Sequence, residues 1–145
     1  MWARSCTSNR SELMPQATKP AVLITDDDPG IRGLLQTLTL LTGCTVETAA
    51  NGFEALHKLR TGSFDLLLLD LMMPMMSGYD VVDHMKEMET RPAVIVLTAT
   101  HSEALPLERL DGRVVSSILR KPFDVQAASD FIRVTAAAVH ENRAQ

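Results

Sequence analysis

Phe64-Asp65-Leu66-Leu67-Leu68-Leu69-Asp70-Leu71-Met72-Met73-Pro74-Met75-Met76-Ser77-Gly78 decides where the rest of the chain belongs. Four leucines between two aspartates suit a short strand buried on both faces, the usual reading of a central strand in a parallel sheet. Leucine also favours helices, but Pro74 and Gly78 leave too little room for one of ordinary length. Asp70 therefore stands at the carboxyl end of a central strand, the edge at which open α/β sheets bind ligands. An ionised side chain there, beside a turn, is a candidate for chemistry. The plainer alternative is a turn aspartate that accepts from backbone amides. The methionines at 72, 73, 75 and 76 read as core rather than as ligands.

Before this stretch, Ala21-Val22-Leu23-Ile24-Thr25 reads as a first strand that stops at Asp26-Asp27-Asp28-Pro29. Asp28 before Pro29 has the form of a helix N-cap followed by proline at the first helical position, and Ile31, Leu34, Leu35, Leu38 and Leu41 mark one apolar helical face. Gly43 ends that helix, and Thr45 to Ala49 alternates as a second, more exposed strand. A turn at Asn51-Gly52 leads to a short helix with Phe53, Leu56 and Leu59 inward.

After the central stretch, Tyr79, Val82 and Met85 outline a third helix, and Ala93 to Leu97 is a buried strand ending on Thr98. Ser102 to Leu110 reads as a fourth helix interrupted by Pro106, and Val114 to Leu119 as a fifth strand running into a loop over Arg120-Lys121-Pro122-Phe123. The last helix spans Asp124 to Val139, with Val125, Ala128, Phe131, Ile132, Thr135 and Val139 inward. Five strands alternating with five helices predict an α/β fold with a doubly wound, five-stranded parallel sheet, and right-handed crossovers place the first and third strands centrally. Residues 1–19 read as a disordered leader, 20–140 as one domain and 141–145 as a tail or the start of a linker.

Bulk composition removes several function classes. At 145 residues the chain fits one domain. A net charge of −4 without a block of lysine and arginine argues against a nucleic-acid footprint. No apolar run approaches the ~18 residues of a membrane helix, and residues 1–20 lack the apolar centre of a signal peptide, so a cytoplasmic protein without membrane contact is expected. Cys6 and Cys44 suggest no disulfide framework, and His57, His84, His101 and His140 show no metal-ligand spacing.

Chemistry converges at the strand ends. The first strand ends in Asp26 and Asp27, the third in Asp70, the fourth in Thr98, and the fifth leads to Lys121. In a parallel sheet these ends share an edge, so three carboxylates, a hydroxyl and an ammonium meet in one shallow cleft. Singly, each has an ordinary reading as a cap, a strand threonine or a solvated lysine. Clustered carboxylates repel unless a cation neutralises them, and Mg²⁺ prefers oxygen ligands while keeping water and accepting phosphate oxygens. Phosphoryl transfer asks for little more than a positioned attacking oxygen and neutralised phosphoryl charge, and an aspartate is an established type of acceptor.

On these motifs the chain resembles the receiver domain of the two-component response regulators, in the manner of the single-domain chemotaxis regulators. The resemblance rests on Val22-Leu23-Ile24-Thr25-Asp26-Asp27-Asp28, on Asp70-Leu71-Met72-Met73-Pro74 with Gly78, on Val96-Leu97-Thr98-Ala99 and on Lys121-Pro122-Phe123. It implies a flavodoxin-like (βα)5 fold with strand order 2-1-3-4-5. It also implies that Asp70 is phosphorylated by a sensor histidine kinase or histidine phosphotransfer protein, with Mg²⁺ held by Asp26, Asp27, Asp70 and the backbone carbonyl of Met72. Thr98 would then sense the phosphoryl group and Lys121 pair with it. Such a domain catalyses only its own phosphoryl transfer and dephosphorylation. It signals to a downstream protein or effector domain, as a monomer or a weak phosphorylation-dependent dimer.

Two departures bear on the output. Ile118 stands where the family has an aromatic residue three positions before the lysine, and Val114-Val115 replaces the usual small Gly-Ala step. Two competing readings differ in what they require. A hydrolase of the haloacid dehalogenase kind wants a second aspartate two residues after the nucleophile, where this chain has Met72. A docking module that no longer uses phosphate has no need of the acidic pair, acceptor, threonine and lysine together.

Overall fold

A computed structural model of the chain describes residues 19–99 and 109–144. Strands β1 (Ala21–Thr25), β2 (Thr45–Ala49), β3 (Leu66–Asp70), β4 (Ala93–Ala99) and β5 (Val115–Lys121) form one parallel sheet in the order β2-β1-β3-β4-β5. Helices α1 (Pro29–Leu41), α2 (Gly52–Thr61), α3 (Gly78–Met85) and α4 (Val125–Ala144) complete the described elements. The alternation of strands and helices led to the expectation of a doubly wound parallel sheet with β1 and β3 central, and the order is the flavodoxin-like one that the family resemblance implied.

Every side chain of β3 is buried. Leu67 and Leu69 join Leu23, Val94 and Val96 in a core closed by α2 and α3. Leu66 and Leu68 join Val22, Ile24, Ile95 and Leu97 in a second core closed by Leu35 of α1 and by Ile132 and Ala136 of α4. Each fully buried leucine contributes about 1.5–3 kcal/mol, so a run with no polar face is stable only between two other strands with helices on both sides.

Capping follows the sequence closely. Asp28 accepts from the amides of Gly30 and Ile31, Asn51 from Glu54, and Ser77 forms a reciprocal capping box with Asp80. Gly43, at φ 93°, ends α1 in the left-handed region that a Cβ would disfavour.

Several expected inward positions turn out. On α1 the buried stripe is Leu35, Leu38 and Thr39, whereas Leu34 is 38% and Leu41 79% exposed. Those two leucines lie on the flank of the stripe, and Thr39 takes the inner place because its hydroxyl donates to Leu35 O at 2.7 Å. Phe53 in the first turn of α2 and Val125 at the start of α4 are also exposed, whereas Ala55 is buried on α2 and Ala128 is buried on α4 as expected. Of the four methionines expected in the core, Met73 is buried and Met76 packs against it from the edge, but Met72 and Met75 project outward.

Three boundaries move. The expected loop at Arg120 and Lys121 is strand, because β5 pairs with β4 as far as Ala99↔Lys121. β5 begins at Val115 rather than Val114 and with a register shift: Val94 faces Val115 but Ile95 faces Ser117, so Ser116, directly after the Val114-Val115 pair, is the extra residue. The last helix does not stop at Val139 but continues to Ala144, through the residues expected to form a tail. Its final turns are tied to the sheet: Asp65 Oδ2 accepts from Ala21 N at 2.9 Å and lies 3.0 Å from His140 Nδ1, while Arg143 donates to Phe64 O and to Asp65 Oδ1. The expected leader, apart from Lys19, and the expected fourth helix, apart from Arg109 and Leu110, lie outside the described residues.

Candidate functional site

Asp26 directly follows β1 and is held at four points. Its amide donates to Ala49 O at 3.3 Å, and its Oδ1 accepts from the Asp28 amide at 2.9 Å. Its Oδ2 accepts from Lys121 Nζ at 2.9 Å, and its carbonyl accepts from Arg32 Nη1 at 2.8 Å. Asp27 is exposed at the mouth of the cleft. Asp70 ends β3, 5% exposed, with its Oδ1 accepting from the Met72 amide at 3.2 Å and lying 3.7 Å from Lys121 Nζ.

The turn after Asp70 is shaped by close backbone approach. Gly78 donates to Leu71 O at 2.9 Å, and a Cβ on it would stand 2.5 Å from Asp70 O. No side chain fits there, which explains why a glycine starts α3 at this point. Met75, in the same turn, adopts φ 69°, a strained conformation for an unbranched residue other than glycine.

One carboxylate oxygen from each of Asp26, Asp27 and Asp70 lies within 4.8 Å of the others. Lys121 is the ammonium that bridges the two buried members. The balance is negative, and it acts on Asp70 most visibly. Burial pushes its carboxyl up from the ordinary 3.8 to about 7, with Asp26 adding to the rise and Lys121 and the Met72 amide opposing it. An all-oxygen donor set with surplus negative charge and one arm open to solvent suits a hard divalent cation that keeps some of its water.

Thr98 sits one residue beyond Leu97, the β4 partner of Asp70 in the sheet register. It is buried, and its Oγ1 has no hydrogen-bond partner among the described residues. A buried hydroxyl without a partner costs about 1–3 kcal/mol. Thr25 Oγ1, at the end of β1, shares that condition.

The structure thus brings Asp26, Asp27, Asp70 and Lys121 into one cluster at the carboxyl edge, with Thr98 on the adjoining strand and Met72 joined through its amide. The sequence reading missed Arg32. The only local signal for it is its place four residues into a helix that starts at Asp28-Pro29, where one turn brings a long side chain back over the end of β1.

Comparison with known proteins follows the same outline. Residues 22–133 match the family model of the response regulator receiver domain. Over 105 residues the chain is 39% identical to a transcriptional regulatory protein, the CpxR homolog of Haemophilus influenzae, covering 71% of this chain and 44% of that protein. It superposes on a CheY-like response regulator receiver domain protein from Methanospirillum hungatei with a TM-score of 0.72 and 26% identity, covering 84% and 98% of the two chains. The response regulator TrrA of Thermotoga maritima, solved in complex with Mg²⁺ and BeF, gives a TM-score of 0.68 at 29% identity, covering 80% and 98%. The chain spans less than half the length of several curated relatives it matches, including those of Haemophilus influenzae and Bacillus subtilis.

Proposed function

The chain belongs to the response regulator receiver family, and from that premise we propose that Asp70 accepts a phosphoryl group from a sensor histidine kinase or a histidine phosphotransfer protein, with Mg²⁺ bound. The observation that carries this reading is the cluster of three carboxylates within 4.8 Å, two of them buried and bridged by Lys121. Asp26, Asp27, Asp70 and the Met72 carbonyl are the oxygen donors for the metal. The Mg²⁺ and BeF bound by the Thermotoga maritima relative support this assignment. When bound, the metal supplies positive charge that offsets both the carboxylate repulsion and the charge on the phosphoryl oxygens.

In the transfer an ionised Asp70 oxygen forms a P–O bond as the P–N bond to the donor's imidazole breaks, and the electron pair leaves on the imidazole nitrogen. Lys121, now 2.9 Å from Asp26 and 3.7 Å from Asp70, is placed to exchange these contacts for a phosphoryl oxygen. The Thr98 hydroxyl, without a hydrogen-bond partner among the described residues, donates to another phosphoryl oxygen.

The signal leaves through altered contacts with a downstream protein or effector domain. Ile118, standing where the family has an aromatic residue, is exposed on β5 beside Leu110 and Val115. A β-branched aliphatic side chain is stiff and has no polar tip to exchange between interior and water, so the rearrangement on this face is small.

Intact-mass measurement after incubation with phosphoramidate tests the assignment. One added phosphoryl group is expected in wild type with Mg²⁺, and none in Asp70→Asn or after chelation. A phosphorylated Asp70→Asn protein, or an equal yield without metal, would show the assignment to be wrong.

A further inference from the structure

The two buried carboxylates of the cluster are held by their own side chains, whereas Asp27 is exposed and has no side-chain hydrogen bond among the described residues. What aims it is the Asp26–Asp27 peptide, whose plane sets the direction in which the Asp27 side chain leaves the backbone. The carbonyl of that peptide accepts from one group among the described residues, the Arg32 guanidinium, at 2.8 Å.

Resting on the metal-dependent reading above, we infer that Arg32 is a positioning residue for the metal site: it pins the Asp26–Asp27 peptide so that the Asp27 carboxylate points into the cleft.

The location of Arg32 supports a specific task over general helix stability. It lies in the first turn of α1, where the helix dipole disfavours a cation, and it makes no ion pair with a carboxylate among the described residues. Its half-buried side chain is instead spent on one neutral carbonyl. Outer groups that orient metal ligands commonly control metal affinity by about 10–100-fold, and a guanidinium fixed over a peptide oxygen is such a group.

Charge alone predicts the opposite result, which makes the inference testable by sign. Removing a cation from beside a cluster of carboxylates lowers repulsion toward Mg²⁺ and should tighten its binding. Removing a positioning contact frees the peptide and should weaken binding.

The experiment is calorimetric titration of Mg²⁺ into the full chain at fixed pH and salt, for wild type, Arg32→Met and Arg32→Lys. Arg32→Met is expected to bind Mg²⁺ about 10-fold more weakly. Arg32→Lys, which keeps a long donor and the charge, is expected to recover most of the loss. Thermal melts without metal separate positioning from folding, since a purely structural role lowers the melting temperature while leaving Mg²⁺ affinity unchanged. Binding equal to or tighter than wild type in Arg32→Met overturns the inference and leaves the phosphoacceptor reading standing. Should Arg32→Met fail to fold, Arg32→Gln carries the same test with the same two outcomes. Absence of Mg²⁺ binding by wild type overturns this inference together with the reading it rests on.

Discussion

At the amino edge of the sheet Asp65 accepts from the Ala21 amide and is met by His140 and Arg143 of the last helix; at the carboxyl edge Asp70 receives one amide and a share of Lys121. Both are buried, and only four leucines separate them. Asp65 has partners from β1 and α4, so its charge holds together elements far apart in sequence. Asp70 competes with Asp26 for a single ammonium, and its carboxyl is pushed up to about 7. A structural carboxylate is surrounded by donors, whereas the candidate reactive one is left short of them.

The contrast breaks most readily at the amino edge. Asp65→Ala leaves the Ala21 amide, His140 and Arg143 without their shared acceptor and should cost about 3 kcal/mol, measured by denaturant unfolding. Asp70→Asn should instead stabilise the metal-free protein. If the two substitutions destabilise equally, the two edges do not differ in the way described.

The pH dependence sharpens the comparison. With a carboxyl raised from 3.8 to about 7, the native state keeps a proton at Asp70 that the unfolded chain has already released. Stability that is full below about pH 4 is therefore lost as pH rises toward about 7, by roughly 2 kcal/mol and at most about 4 kcal/mol. Comparing metal-free wild type with Asp70→Asn across that range isolates the contribution, because the mutant lacks the titrating group. Mg²⁺ in excess should restore stability at neutral pH by binding the native state. A difference between the two proteins that stays constant with pH would contradict this account.

The smallest effect concerns the two orphaned hydroxyls. Thr25→Val and Thr98→Val each remove a buried hydroxyl that has no partner among the described residues and should each gain about 1 kcal/mol in a thermal or denaturant melt. Only Thr98→Val should also slow phosphorylation of Asp70. A loss of stability in Thr98→Val would mean that its hydroxyl already has a partner, and would remove it as a sensor of the phosphoryl group.

Much of the fold follows from local chemistry in the chain. The Leu66 to Leu69 run has no polar face, and Pro74 and Gly78 leave too little room for a helix, so it reads as a central strand, and Asp28-Pro29 and Gly43 mark the ends of α1 where they lie in the structure. Asp26, Asp27, Asp70, Thr98 and Lys121 were legible as one candidate set because a parallel sheet must place its strand ends on one edge.

Other features became visible only in three dimensions. Periodicity shows which helical residues are apolar but not how wide a face the sheet will cover, so Leu34, Leu41 and Phe53 read as inward and are exposed. The sequence separates Asp65 from Asp70 by the strand end each occupies, but not by the donors that meet it. Asp65 meets His140 and Arg143 across 75 and 78 positions of sequence, a contact that also extends α4 beyond its expected end. Arg32 likewise acquires its role only where the turn of α1 folds back over Asp26. Backbone preference and hydrophobic pattern act over a few residues and so can be read along the chain. Which donors surround a buried carboxylate is decided by elements that meet only once the sheet and its helices have packed.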